Sequence, residues 1–183
     1  MRIISGEKRG MRIDPPPKGE PARPTEDKIK EAVFNVLQPF RKQTVCMDVF
    51  AGTGQIGIEF LSRGARFCVF SEKSRGMARV LRDNIKKTKC EAQSSVLQGD
   101  FRTNIARTPY RFDYVYLDPP FGSGLDLLAM EQLRRLNKLE PDALVIVESD
   151  RNDNALDGIA GYREVFCRDY GTKRIRMYKE EIA

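Results

Sequence analysis

From residue 44 onward, short apolar runs alternate with stretches of helical spacing, and this pattern fixes the fold class. Strands are expected over 44–50, 66–70, 94–97, 112–117 and 143–147. Helices are expected between them, over about 55–63, 74–87, 101–107 and 124–138, the last with Leu125, Leu128, Leu133 and Leu136 turned inward. Strand–helix alternation of this kind builds an α/β fold, a mainly parallel sheet with helices on both faces. Two β-rich runs, 162–169 and 173–179, end the chain; joined through Gly171, they must pair antiparallel. Ahead of the alternating part, residues 1–4 and 10–14 suit a small β-hairpin, and the Pro15-Pro16-Pro17 run a stiff loop. A helix is expected over 25–38, with Thr25 as N-cap and Ile29, Ala32, Val33, Val36 and Leu37 on its apolar face. The 183 residues suffice for one domain, a hairpin extension over 1–24 and a core over 25–183.

Composition narrows the chemistry. Histidine is absent, which excludes a His base, a His triad and a His-ligated metal. Cys46, Cys68, Cys90 and Cys167 are scattered without Cys-x-x-Cys spacing, so they read as small buried hydrophobes rather than disulfides or ligands. No apolar run approaches the roughly 20 residues that span a bilayer, and the start lacks a signal peptide's apolar stretch, so the cytoplasm is the expected location. No metal is expected, and the chain is expected to act as a monomer. The net charge of +6 is uneven: residues 1–30 carry +3, 73–89 carry +6 and 168–179 carry +4, leaving the remainder acidic. Clustered positive charge suits a polyanion, although Arg75, Arg79, Arg82 and Lys86 also make a plain solvated helix stripe opposite Met77, Val80, Leu81 and Ile85.

In a doubly wound sheet, ligands bind beyond the carboxyl ends of the strands where the strand order reverses. The first strand runs into Asp48-Val49-Phe50-Ala51-Gly52-Thr53-Gly54-Gln55-Ile56-Gly57, a G-x-G-x-x-G turn between strand and helix. Glu72, twenty residues after Gly52, ends the second strand and can accept both hydroxyls of a ribose. Those features fit a dinucleotide or S-adenosylmethionine. Asp48 separates the two, because a carboxylate entering the loop repels a pyrophosphate and attracts a sulfonium or an ammonium. Asp48 also reads as a plain cap for turn amides. After the third strand, Asp100 can accept an adenine amine with Phe101 packed on the ring, or can simply cap a helix.

The fourth strand ends in Asp118-Pro119-Pro120-Phe121-Gly122. Two prolines fix two φ angles and remove two donors, so the turn is rigid and its carbonyls face outward. Methylating a base amine requires the amine's lone pair to be rotated out of the ring plane. The Asp118 carboxylate and Pro119 carbonyl are fitting acceptors for its N–H groups, Pro120 stiffens the corner, and Phe121 can stack on the base. A sulfonium is already a good leaving group, so no strong base is needed. An Asp at 118 tilts toward guanine, whose Watson–Crick edge offers neighbouring donors, N1–H and the 2-amino group.

These residues carry a resemblance. Arg2-Ile3-Ile4-Ser5-Gly6, Arg23-Pro24-Thr25 leading into Glu31–Leu37, Asp48–Gly54, Leu61-Ser62-Arg63-Gly64-Ala65, Asp118-Pro119-Pro120-Phe121 and Val147-Glu148 together resemble the bacterial 16S rRNA guanine-N2 methyltransferases, over almost the whole chain. The resemblance implies a Rossmann-like class I methyltransferase fold with seven strands, mostly parallel, an antiparallel C-terminal strand and the small N-terminal hairpin. It implies S-adenosyl-L-methionine as cofactor, held by Asp48, Phe50, Ala51, Gly52, Thr53, Gly54, Glu72, Asp100 and Phe101. It implies a guanine of 16S rRNA as target, within a partly assembled 30S particle. It also puts Arg23 near the target base and Thr25 near the cofactor; from the residues alone, Arg23 is a phosphate contact and Thr25 an N-cap.

Other readings share parts of the pattern. A methyltransferase acting on adenine or cytosine amines of nucleic acid, or on a protein glutamine, can use an acid-or-amide-Pro-Pro-aromatic turn. A nicotinamide-dependent oxidoreductase shares the glycine loop but has no use for Asp48 or the Pro-Pro turn. A non-catalytic RNA-binding module would need neither.

Overall fold

The computed structural model describes residues 1–19 and 26–181. Helix α1 spans Asp27–Val36. It is followed by β1 Val45–Asp48, α2 Gln55–Ser62, β2 Phe67–Glu72, α3 Arg75–Lys87, β3 Ser94–Gln98, α4 Phe101–Arg107, β4 Phe112–Leu117, α5 Leu125–Arg135, β5 Leu139–Asp150, β6 Tyr162–Tyr170 and β7 Lys173–Glu180. The strands form one seven-stranded sheet in the order β3-β2-β1-β4-β5-β7-β6. The first five are parallel, and β7 lies antiparallel between β5 and β6. Strand order therefore reverses between β1 and β4, as the expected Rossmann-like fold requires.

Burial explains the arrangement. Every residue of β1 is buried, which fits a central parallel strand covered on both faces. Side chains alternate between two apolar layers. Cys46, Cys68, Phe70, Tyr114 and Ile146 face α1, α2 and α3 through Val33, Phe34, Ile58, Phe60 and Leu81. Met47, Val69, Val115, Val145 and Val147 face α4 and α5 through Ile105, Ala129, Met130 and Leu133. Period-2 alternation in the strands and helical spacing outside them are thus two views of one packing.

The N-terminal segment is less regular than a hairpin. Arg2 and Arg12 form an isolated antiparallel bridge, supported by Ile3 N–H donating to the Met11 carbonyl at 2.9 Å and Gly10 N–H to the Ile3 carbonyl at 2.8 Å. Glu59 of α2, fully buried, fastens this segment to the core. Its carboxylate accepts Ile4 N–H at 2.9 Å and Ser5 N–H at 3.0 Å, and Arg63 Nε at 2.9 Å. Gly6, at φ +81°, touches α2 so closely that a Cβ would lie 1.8 Å from the Ser62 carbonyl oxygen.

Several expectations need correcting. Helix α1 is capped by Glu26, without a side-chain cap bond, and Thr25 lies outside the described residues. In α5, Leu133 is buried and Leu125 and Leu136 pack against the core as expected, with Asp126, Ala129 and Met130 also buried, but Leu128 is exposed. The helix ends at Arg135 because Asn137 turns back at φ +51°. Strand β5 starts at Leu139, four residues ahead of the expected run, and reaches Asp150. Cys46, Cys68 and Cys90 are buried, but Cys167, on the outer strand β6, is exposed.

Candidate active site

The site begins where β1 ends. Val49 N–H donates to the Tyr116 carbonyl at 3.1 Å and Ala51 N–H to the Ser71 carbonyl at 2.9 Å, so the loop leaves β1 wedged between β4 and β2. Gly52, at φ +54°, has nothing within 4 Å of a Cβ position and faces open space. Gly54, at φ +87°, starts α2, and a Cβ there would meet Leu81 Cδ1 at 2.4 Å; a Cβ on Gly57 would meet Phe70 Cε1 at 2.1 Å. Gly57 thus lets α2 press against the sheet, Gly54 lets its start press against α3, and Gly52 leaves room above the loop. Thr53 is buried, and its carbonyl accepts Asn84 Nδ2 of α3 at 3.0 Å.

Two carboxylates serve this loop. Asp48 is buried and accepts Gly57 N–H at 3.1 Å. Burial, with the nearby Glu72 charge adding to it, pushes the Asp48 carboxyl up to about 7, against the pull of that N–H. Glu72 accepts Gly52 N–H at 2.8 Å and Ser74 N–H at 2.7 Å, joining the glycine loop to the start of α3. No Lys or Arg lies between residues 48 and 62, so the loop offers no cation to a phosphate.

Beyond β3, Asp100 caps α4. It accepts Arg102 N–H at 2.9 Å and both arms of the Arg102 guanidinium at 2.9 Å, and those bonds hold its carboxyl down at about 2. The capping contact weighed in the sequence is present. Phe101 is almost buried, its ring tilted against Phe50 with centroids 5.2 Å apart. Behind them Asn104 Nδ2 donates to Ser71 Oγ at 2.9 Å and to the Leu97 carbonyl at 2.8 Å, tying β2, β3 and α4 together.

Across the crevice, β4 ends in the Pro-Pro turn. Pro119 is buried, Pro120 is exposed, and Phe121 is 41% exposed. Asp118 is pushed well above the usual carboxylate range, first by burial and then by Glu148, with Asp48 adding and Lys173 opposing. Glu148, at 1% exposure, accepts the Tyr116 hydroxyl at 2.6 Å and forms an ion pair with Lys173. Burial, followed by the Glu148 and Asp118 charges, pushes the Tyr116 phenol well up.

Because β1 and β4 are adjacent and parallel, with Asp48 paired to Tyr116, the glycine loop and the Pro-Pro turn leave the sheet side by side at its carboxyl edge. The structure brings Asp48, Phe50, Ala51, Gly52, Thr53, Gly54, Glu72, Asp100 and Phe101 to one side of the order reversal and Asp118, Pro119, Pro120 and Phe121 to the other. Arg23 and Thr25 lie outside the described residues. Sequence reasoning gave no role to Tyr116, Glu148 or Lys173. An acid ending an apolar strand was the available signal for Glu148; Lys173 had none, because its partner depends on strand pairing.

The basic stretches also sort themselves. In 168–179, Lys173 pairs with Glu148, Arg174 with Asp169 at 2.6 Å, Arg176 with Asp157 at 2.5 Å and Lys179 with Asp142 at 3.1 Å. On α3, Arg75, Arg79, Arg82 and Lys86 are exposed, and none forms an ion pair with a described residue. Among the described residues, no helix is long and apolar enough to cross a membrane.

Comparisons with known proteins place the chain in a family. The family model described as "Conserved hypothetical protein 95" matches residues 1–179. The chain is 37% identical over 155 residues to Ribosomal RNA small subunit methyltransferase D of Haemophilus influenzae, covering 83% of this chain and 80% of that protein. It is 33% identical over 150 residues to the Escherichia coli protein of the same name, covering 82% and 75%. The solved structure of yhhF from Escherichia coli superposes with a TM-score of 0.87 at 32% identity, covering 100% of this chain and 99% of that one. The chain therefore belongs to the family of the ribosomal RNA small subunit methyltransferase D proteins, and its seven-stranded sheet is the Rossmann-like fold of a methyltransferase.

Proposed function

We propose that the chain transfers a methyl group from S-adenosylmethionine to the exocyclic N2 amine of a guanine in 16S rRNA, within a partly assembled 30S particle. The observation that carries this reading is the adjacency of two loops at the reversal of strand order: an acid-backed glycine loop after β1 and a proline-stiffened acidic turn after β4. The relatives' name, which specifies small-subunit ribosomal RNA, supports the substrate class. The chain acts as a single catalytic domain and a monomer in the cytoplasm, without a metal.

The residues present fit the cofactor. Open space above Gly52 admits a ligand close to the backbone. Glu72 reaches that same backbone and can exchange an N–H partner for ribose hydroxyls. Two acids and no cation suit a positively charged donor rather than a pyrophosphate. Phe50, Ala51, Thr53 and Gly54 shape the loop, Asp100 and Phe101 bound the adenine end, and the resemblance adds Thr25 as a further cofactor contact. When bound, the cofactor supplies an electron-poor methyl group on a sulfonium, with a neutral thioether as leaving group.

The chain supplies alignment. Asp118 accepts N1–H and one N2–H of guanine, the Pro119 carbonyl accepts the other N2–H, and these bonds turn the nitrogen lone pair toward the methyl. Pro120 keeps the corner rigid. Phe121, already exposed, stacks on the base, a contact worth about 1–3 kcal/mol, and Arg23 holds a phosphate. As the nitrogen gains its methyl it gives up one proton, which the Asp118 carboxylate accepts. The exposed stripe of α3, running from the cofactor edge, is the larger part of the docking surface for the RNA backbone.

The direct test is transfer of labelled methyl from S-adenosylmethionine to rRNA and to 30S particles, followed by nucleoside analysis. Labelled N2-methylguanosine is expected. Label in N6-methyladenosine, or none in either RNA substrate, would overturn the assignment.

A further inference from the structure

We propose that Lys173 is a positioning residue for the reaction: by pairing with Glu148, it offsets the second buried acid beside Asp118 and so lowers the pH above which Asp118 meets the target amine as a carboxylate. The inference rests on the Asp118 role given above.

Three acids converge at the carboxyl ends of β1, β4 and β5: Asp48, Asp118 and Glu148. Glu148 is more deeply buried than Asp118 and is held from two sides, by the Tyr116 hydroxyl at 2.6 Å and by the Lys173 ammonium. Lys173 arrives from the opposite chain direction. Strand β7 runs antiparallel to β5, and the pairing Asp150↔Lys173 sets the first residue of β7 at the edge where β4 and β5 end. Two carboxyl groups sharing a dry site cannot both stay ionised without a cation. Among the described residues, the charged groups facing Asp118 are Glu148 from β5, Lys173 from β7 and Asp48 from β1, with the Tyr116 phenol bonded to Glu148; of these described groups, Lys173 alone is a cation.

The charge state matters for the chemistry. A carboxylate can accept both guanine donors and then one proton, whereas a neutral carboxyl presents an O–H to a donor edge and has no site for that proton. The sign follows. A positive neighbour favours ionised Asp118, and a negative one opposes it. Removing Lys173 must therefore raise the pH at which Asp118 loses its proton, and neutralising Glu148 must lower it.

The test is the acid limb of kcat/KM against pH, at saturating S-adenosylmethionine, with rRNA as substrate. Lys173→Met is expected to move the limb up by about one pH unit, with S-adenosylmethionine affinity unchanged, and Lys173→Arg is expected to restore it. Glu148→Gln is expected to move it the other way. Losing Lys173 strands a buried charge, so the single variant can fail to fold; the double variant Lys173→Met/Glu148→Gln removes the pair as a neutral unit and is expected to bring the limb back near wild type. A purely structural role would depress activity at every pH without opposite shifts. If Asp118→Ala is inactive but the limb stays fixed in the Glu148→Gln and double variants, or shifts the same way in both single variants, the inference falls while the Asp118 role stands. If Asp118→Ala turns over normally, the Asp118 role itself falls.

Discussion

At the residue scale, the site assigns different work to its acids. Glu72 holds two backbone N–H groups at the mouth of the glycine loop, where bound ribose would compete for the same oxygens. Glu72→Ala is therefore expected to weaken S-adenosylmethionine binding by about tenfold or more, since hydrogen bonds to a charged group are worth about 1.5–3 kcal/mol. Calorimetric titration measures this directly, and an unchanged dissociation constant would remove Glu72 from the site. Asp118 lies on the other loop, and its loss leaves the loop after β1 intact. Asp118→Ala is expected to bind S-adenosylmethionine normally and to lose methyl transfer by at least a hundredfold, the usual effect of removing a positioned acid–base group. Comparing single-turnover rates with cofactor affinity separates the two roles. Asp48 differs from both. It lies behind the loop, bonded to Gly57 N–H, and its carboxyl is pushed to about 7. Near neutral pH it changes charge with small changes in its surroundings, and a cationic ligand nearby would favour the ionised form.

At the scale of elements, Glu59 shows how the N-terminal segment becomes part of the molecule. Its buried carboxylate takes two backbone N–H groups of that segment and the Arg63 guanidinium, which stacks on Phe34 at 4.3 Å. Glu59→Ala leaves those donors unpaired and is expected to cost about 3–5 kcal/mol, the range for breaking a buried charge pair. Thermal unfolding measures the loss, and amide exchange at Ile4 and Ser5 should become fast before the sheet opens. Unchanged exchange there would show that the segment is held by its other contacts, among them Ile3 and Ile13 in the core and the bonds to Ser62 and Asn84. The same scale shows what could be read from the letters. Strands β1, β2 and β4 were legible because parallel strands buried on both faces are short apolar runs, and α3 because Arg75, Arg79, Arg82 and Lys86 repeat at helical spacing. On α5 only Leu128 was misplaced: Leu125, Leu133 and Leu136 pack on the core as their spacing implied, while Leu128 lies on the solvent side and Asp126, Ala129 and Met130 complete the buried face. The start of β5 was missed because Glu140-Pro141-Asp142 looks like a turn, while the backbone continues as strand beside an irregular register between Phe112 and Tyr114. In the candidate site, the glycine loop, Glu72 and the Pro-Pro turn are local in sequence and were visible. Lys173 and Glu148 meet only through the pairing of β5 with β7, which no local pattern encodes.

At the scale of the whole molecule, the sequence counts three basic stretches, but the fold leaves them unequal. Charges on β7 are already paired within the chain: Arg174 sits opposite Asp169 in the β6–β7 pairing, Arg176 is buried between Asp157 and Glu164, and Lys179 reaches Asp142 at the surface. A cation already paired releases few counterions when RNA arrives, so it adds little to salt-dependent binding. The α3 stripe is exposed and meets no described acid. If its four cations each contact a phosphate, replacing Arg75, Arg79, Arg82 and Lys86 together by Gln is expected to flatten the slope of log K against log salt by about three. Replacing Arg174 and Lys179 by Gln is expected to leave the slope unchanged, although it removes the same kind of charge. Titrations of rRNA fragments between about 50 and 200 mM salt distinguish the two sets. Equal effects from both would mean that total charge, rather than the face presented by α3, governs docking. The α3 stripe begins beside Glu72 and Ser74, so RNA bound along it approaches from the cofactor side of the crevice. The base to be methylated would then reach Phe121 across the cofactor loop, so the stripe variants are expected to raise KM for RNA while kcat changes little.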